Sequence, residues 1–146
     1  MSTQEQPLVV RVTRRYGASA ERVFDAFLDP AKAGRFMFAT PTGEMVRVEI
    51  DARVGGRYAF VDRRDGDDVE HTGEYLEIDR PRRLVFTFSA DGSEPDRVAI
   101  DVAPLESGGC EVTLAHEMNP KWAEYADRAT EGWRGILDGL AEVVGE

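Results

Sequence analysis

The chain of 146 residues has one cysteine, Cys110. An internal disulfide is excluded, and a reducing compartment is expected. Positive charge is also short: 18 Lys and Arg stand against 28 Asp and Glu, a formal net charge of −10. That field repels phosphate backbones and anionic headgroups, so neither nucleic acid nor a membrane is expected as a partner. No apolar run approaches the length of a membrane span, and Met1 to Pro7 lacks the charged-then-apolar layout of a signal peptide. A cytoplasmic location follows as the expectation. His71 and His116 are the two histidines, far apart and without Cys or His at ligand spacing, so no metal and no cofactor is expected. Gly55-Gly56 opens no predicted helix, which removes a phosphate-cradling loop. Repeats, low-complexity tracts and Gly/Ser/Pro-rich linkers are missing too. Residues 8–146 read as one domain behind a short polar tail, 1–7.

What is present is organised around the C-terminus. From Pro120 to Val144 the apolar residues Trp122, Ala126, Ala129, Trp133, Ile136, Leu137, Leu140, Val143 and Val144 recur at three- and four-residue steps. This pattern predicts one long amphipathic helix, with Asn119 as cap and Pro120 in the first turn. About 25 residues at roughly 1.5 Å each make a rod of about 37 Å. Gly132, Gly135 and Gly139 interrupt it, each at a cost of about 1 kcal/mol relative to Ala. Two readings stand open: close approach by a backbone, a ligand or a second subunit along one strip, or a merely loosened helix end.

The rest reads as strands. Leu8 to Tyr16 alternates, with Val10 and Val12 opposite Arg11 and Thr13. Ser19 caps a helix whose apolar face is Val23, Phe24, Phe27 and Leu28, and Asp29-Pro30 opens a second short one. From Glu44 onward come strands separated by turn residues, carrying Val46, Val48 and Ile50, then Tyr58 and Phe60, then Val69 to Ile78. Next come Leu84, Phe86 and Phe88, then Val98, Ile100 and Val102, and finally Val112, Leu114, His116 and Met118. Tyr75, Leu76 and Ile78 break alternation, which a bulge near Gly73 would explain. Six or seven strands in hairpin order imply a curved antiparallel sheet, α+β in class, gripping the C-terminal helix.

The chain resembles the SRPBCC superfamily (START-like, birch-pollen-allergen-like), and within it the branch named for the activator of heat shock protein 90 ATPase. The likeness rests on the run Ala20 to Phe27 with Asp29-Pro30, on Asp51 to Tyr58, on Gly73 to Ile78 with Pro81 and Arg83 to Phe88, and on Gly132-Trp133 with Leu137 and Leu140. It implies a helix-grip fold around an apolar cavity. Members usually carry Trp where this chain has Phe36, Met37 and Phe88, which implies a differently shaped cavity. The resemblance implies no reaction, since members bind lipids, hormones or polyketides and a minority catalyse cyclisation or dehydration.

The expected cavity lining is Phe36, Phe38, Tyr58, Phe60, Phe86, Phe88, Ile100, Leu114, His116, Met118, Trp133 and Leu137, bulky and mildly polar as ligand linings are. No catalytic residue is assigned. His116 is the better histidine because it continues an inward face, and it is expected to lack a supporting carboxylate there. Asp62, Glu70, Glu74 and Glu77 read as a solvated face, and Cys110 has no base beside it. Arg80, Arg82 and Arg83 around Pro81, with Arg63 and Arg64, read as charged strand ends. The expected function is binding of a small apolar or aromatic molecule. A cyclase or dehydratase in the same cavity and a chaperone-associated interaction protein are the alternatives, and a homodimer is left open.

Overall fold

The computed structural model describes residues 8–37, 43–90 and 94–145. In chain order these form β1 (Leu8–Tyr16), α1 (Ala20–Leu28), α2 (Pro30–Ala33), β2 (Glu44–Ile50), β3 (Arg57–Arg64), β4 (Asp67–Asp79), β5 (Arg83–Ala90), β6 (Asp96–Pro104), β7 (Cys110–Met118), a 3-10 helix (Pro120–Tyr125) and α3 (Ala126–Val143). The strands make one curved seven-stranded antiparallel sheet in the order β1-β7-β6-β5-β4-β3-β2. From β2 to β7 the chain is a meander; β1 reaches the far edge by pairing with β7, from Leu8 opposite Met118 to Tyr16 opposite Cys110. The short helices fill the crossover.

Local chemistry sets the boundaries. Ser19 accepts a hydrogen bond from the Arg22 amide and starts α1, while Asp29 ends α1 and caps α2, whose first residue is Pro30. The concave face is a strip of alternate residues, among them Val10 and Val12, Tyr58 and Phe60, Ile100 and Val102, and Val112 and Leu114. Trp133, Ile136, Leu137, Leu140 and Ala141 of α3 close over it. Tyr16 ties sheet to helix, its hydroxyl donating to the Leu137 carbonyl at 2.7 Å in a buried setting.

The C-terminal helix is shorter than its periodicity predicts. Asn119 does cap and Pro120 does lead, but they open a 3-10 turn in which Trp122 leaves helical geometry (φ −99°, ψ 18°). α3 has 18 residues, about 27 Å. Trp122 therefore leaves the apolar stripe and is 45% exposed. Added Cβ atoms on Gly132 and Gly135 would meet nothing, so close approach holds at Gly139 alone, where a Cβ would lie 3.0 Å from that of Phe36.

The irregularity in β4 falls between Tyr75 and Glu77 rather than at Gly73; alternation through His71, Gly73 and Tyr75 holds up to it, and past it Leu76 and Glu77 both face outward. Gly73 is needed for space instead, because a Cβ there would lie 1.8 Å from the Thr87 carbonyl oxygen and 2.6 Å from the Tyr58 ring. The glycine makes room for the tyrosine on the next strand.

The basic clusters are matched internally. Arg80 clamps Asp25 of α1 through two bonds of 2.6 and 2.8 Å. Arg83 meets Asp101 at 2.8 Å, Arg82 meets Asp79 at 3.5 Å, and Arg63 meets Asp68 at 2.8 Å. The Arg80 hydrogen bond holds the Asp25 carboxyl below the ordinary carboxylate range. Among the described residues no helix is long and apolar enough to cross a membrane.

Candidate functional site

Of the residues expected to line a cavity, Phe36, Tyr58, Phe60, Phe86, Ile100, Leu114, His116, Met118, Trp133 and Leu137 are buried, with Phe88 packed against the core half-buried. Phe38 lies outside the described residues. These residues divide between two ends of the concave face.

At the end where β5 begins, Phe27, Met37, Tyr58, Phe60, Tyr75, Leu84 and Phe86 surround a void of about 10 Å³. That is room for about one water molecule. The rings interlock, Tyr58 lying 5.7 Å from Phe60, 5.6 Å from Tyr75 and 5.6 Å from Phe86. The Tyr58 hydroxyl donates to the Thr87 carbonyl at 2.8 Å. Burial pushes the Tyr58 and Tyr75 phenols well above their ordinary range, so both stay neutral.

At the other end, where β5 finishes and β6 starts, a polar chain leads outward. The Trp133 indole N–H donates to His116 Nδ1 at 2.9 Å, and His116 Nε2 lies 2.9 Å from Asp96 Oδ2. An indole can only donate, so Nδ1 is the acceptor and the proton of the neutral ring sits on Nε2, facing the carboxylate. The tautomer is fixed by its neighbours. Phe88 packs its ring 5.8 Å from His116, 5.9 Å from Trp133 and 5.9 Å from His71, and His71 is itself buried with Nδ1 3.4 Å from the Phe60 carbonyl.

Asp96 opens onto a groove of about 420 Å³ lined by Glu94, Asp96, Met118, Lys121, Trp122 and Tyr125. The His116 side chain is 5% exposed and that of Asp96 26%. The carboxylate is thus where a buried aromatic assembly meets solvent.

The carboxylate partner of His116, expected to be lacking, is supplied by the neighbouring strand. Its signal is parity: Asp96 shares a face with Val98, Ile100 and Val102, and in register Phe88 pairs with Asp96 and Val98 with His116. Parity also corrects Asp62, which follows Tyr58 and Phe60 on the inward face and is 1% exposed, with Arg64 at 2.7 Å; Glu70 and Glu77 do face water. Trp122 and Tyr125 carry no such signal, because the stripe places Trp122 inside. Among the described residues no group of three His, Cys, Asp or Glu side chains is disposed to hold a metal.

A family model described as Activator of Hsp90 ATPase homolog 1-like protein matches residues 17–145. Among solved structures, protein CV1439 from Chromobacterium violaceum is 30% identical, covering 96% of this chain and 99% of its own, with a TM-score of 0.85. CalU16 from Micromonospora echinospora is 25% identical over 94% of this chain and 76% of its own, with a TM-score of 0.69. An AHSA1-like protein from Aeromonas hydrophila, 23% identical over 94% of this chain and 92% of its own, has a TM-score of 0.78 and shares the fold. No curated protein matches the chain.

Proposed function

The chain belongs to the family of activator of Hsp90 ATPase homolog 1-like proteins, and from that premise we propose that it binds a small molecule with an apolar or aromatic body in the groove beside Asp96. One observation carries the reading: the carboxylate at the groove wall is held from behind by the buried Trp133–His116 pair. A polar group fixed in this way beside ring faces is how binding sites orient a ligand. The space supports the groove as well. The void at the Tyr58 end, about 10 Å³, is far below the several hundred Å³ a drug-sized ligand occupies, whereas the groove reaches that range.

Binding is favoured over catalysis because both imidazole nitrogens are committed, one to an indole and one to a carboxylate. No lone pair of His116 is left for a substrate proton. Binding is favoured over a chaperone-facing role because the arginines around Pro81 engage the chain's own Asp25, Asp79 and Asp101.

The test is uptake of the neutral fluorescent probe N-phenyl-1-naphthylamine. Saturable uptake by the parent is expected, weakened about tenfold (about 1.4 kcal/mol) by Trp122→Ala with thermal stability unchanged. Parental uptake by Trp122→Ala would move the site away from the groove, and no uptake by the parent would end the binding reading.

A further inference from the structure

The groove already holds a cation supplied by the chain itself, and a second lies against one of its rings. Lys121 Nζ lies 5.5 Å from the centre of the Trp122 ring and 3.9 Å from Glu94 Oε2. The Arg128 guanidinium sits 5.9 Å from the centre of the Tyr125 ring. Trp122 and Tyr125 are neighbours, their ring centres 5.6 Å apart and their planes inclined at 53°. Two inclined rings beside a carboxylate make a shape that attracts an ammonium group, since the ring faces carry partial negative charge.

We propose that the groove selects a small organic cation, a quaternary or primary ammonium on a short apolar body, and that Lys121 is an internal occupant which such a ligand displaces. The inference rests on the binding reading above and names the chemical class that the site takes. Charge supports it. The lining carries the carboxylates of Glu94 and Asp96 against the single ammonium of Lys121, so displacing that ammonium leaves two anions of the lining for the incoming cation, with Arg128 keeping its place over the Tyr125 ring. The whole chain, at −10, adds a field of the same sense.

Geometry explains why the rings are available. The 3-10 turn breaks helical geometry at Trp122, and the break leaves Trp122 45% and Tyr125 39% exposed where a continuous amphipathic helix would have buried the indole. Displacement is easy as well. The Lys121 and Glu94 side chains are 57% and 77% exposed at a separation of 3.9 Å, and exposed pairs of this kind hold weakly. Asp96 differs, because His116 Nε2 fixes it at 2.9 Å. The groove therefore has one loosely held anion, one anchored anion, two ring faces and a built-in competitor.

Choline and 3,3-dimethylbutan-1-ol have nearly the same shape and differ in charge, so the pair isolates the cation. Each is titrated into the full chain while the indole N–H resonances of Trp122 and Trp133 are followed. Choline is expected to shift the Trp122 resonance with an affinity about tenfold above that of the alcohol, and the difference should shrink at high ionic strength. Lys121→Ala should tighten choline binding several-fold and leave the alcohol unchanged. Trp122→Ala, at an exposed position that the fold does not need, should abolish the preference. Equal affinities for the two probes in the parent and in Lys121→Ala would overturn cation selection while leaving the binding reading intact, provided naphthylamine uptake persists. Weaker choline binding by Lys121→Ala would overturn the role of Lys121 as a competitor. If no probe binds, naphthylamine included, both readings fall together.

Discussion

The two ends of the concave face use similar side chains and reach opposite results. At the Tyr58 end, the polar tip of a buried ring donates to a backbone carbonyl, and the hydrogen-bond chain stops inside the protein. At the Trp133 end, the indole passes its bond to an imidazole, which passes it to a carboxylate at the edge of solvent. The first arrangement leaves about 10 Å³ free and the second adjoins about 420 Å³. Aromatic content therefore does not distinguish a core from a site; what matters is whether the polar atoms on the rings are satisfied inward or connected outward.

The largest test of that contrast is Phe86→Ala. Phe86 is 2% exposed, so its truncation should cost about 3–5 kcal/mol in chemical denaturation, whereas Trp122→Ala at the groove should stay within about 0.5 kcal/mol of the parent. Similar losses at the two positions would erase the distinction. Trp133→Phe sharpens it from the other side. Most of the buried ring remains but Nδ1 of His116 loses its donor, and a cost of about 1–3 kcal/mol is expected from the unpaired buried acceptor. A variant of parental stability would show that the relay contributes nothing to the fold.

Smaller effects separate the helix from the sheet it covers. Gly135→Ala should stabilise by about 0.4–1 kcal/mol, because its Cβ would meet nothing, while Gly139→Ala should gain less through its 3.0 Å approach to Phe36. Equal gains in thermal unfolding would mean that Phe36 yields freely. The smallest effect is electrostatic. Asp25 is held below its ordinary pKa by Arg80, so its contribution is present above the unfolded value of about 3.9 and is lost as pH falls through the folded one. With side chains 55% and 47% exposed the pair contributes little. Asp25→Asn should lower the denaturation midpoint slightly at pH 7, and the gap to the parent should close in acid; a gap constant with pH would remove the ion pair as its cause.

The fold is legible in the sequence because its signals are periodic. Alternation in β1, β6 and β7, the Ser19 and Asp29 caps, and the spacing of Trp133, Leu137 and Leu140 all repeat over several residues, and packing obeys the repeat. The site is legible only in part. Alternation places His116 inward, but its partner lies on another strand, and cross-strand contacts depend on register that a single strand does not reveal. Periodicity misplaces Trp122 because helical spacing continues across Pro120 to Tyr125 while the backbone does not. One residue with φ −99° and ψ 18° is invisible to a count of apolar positions, and it exposes the ring on which the groove depends.

The pairing of β1 with β7 also bears on how the chain reaches its final form. Leu8 meets Met118, so closing that ladder draws together about a hundred residues, while Arg64 and Asp67 pair across a tight turn. The longer loop costs about 2 kcal/mol more in closure entropy for each tenfold in length. The first strand of the sheet must wait for the last, and contacts of such range slow folding. We infer that the meander from β2 to β7 assembles first and that β1 is then received along the free edge of β7. In pulse-labelled hydrogen exchange the β1 amides should be protected later than those of β3 and β4, and simultaneous protection would count against this order.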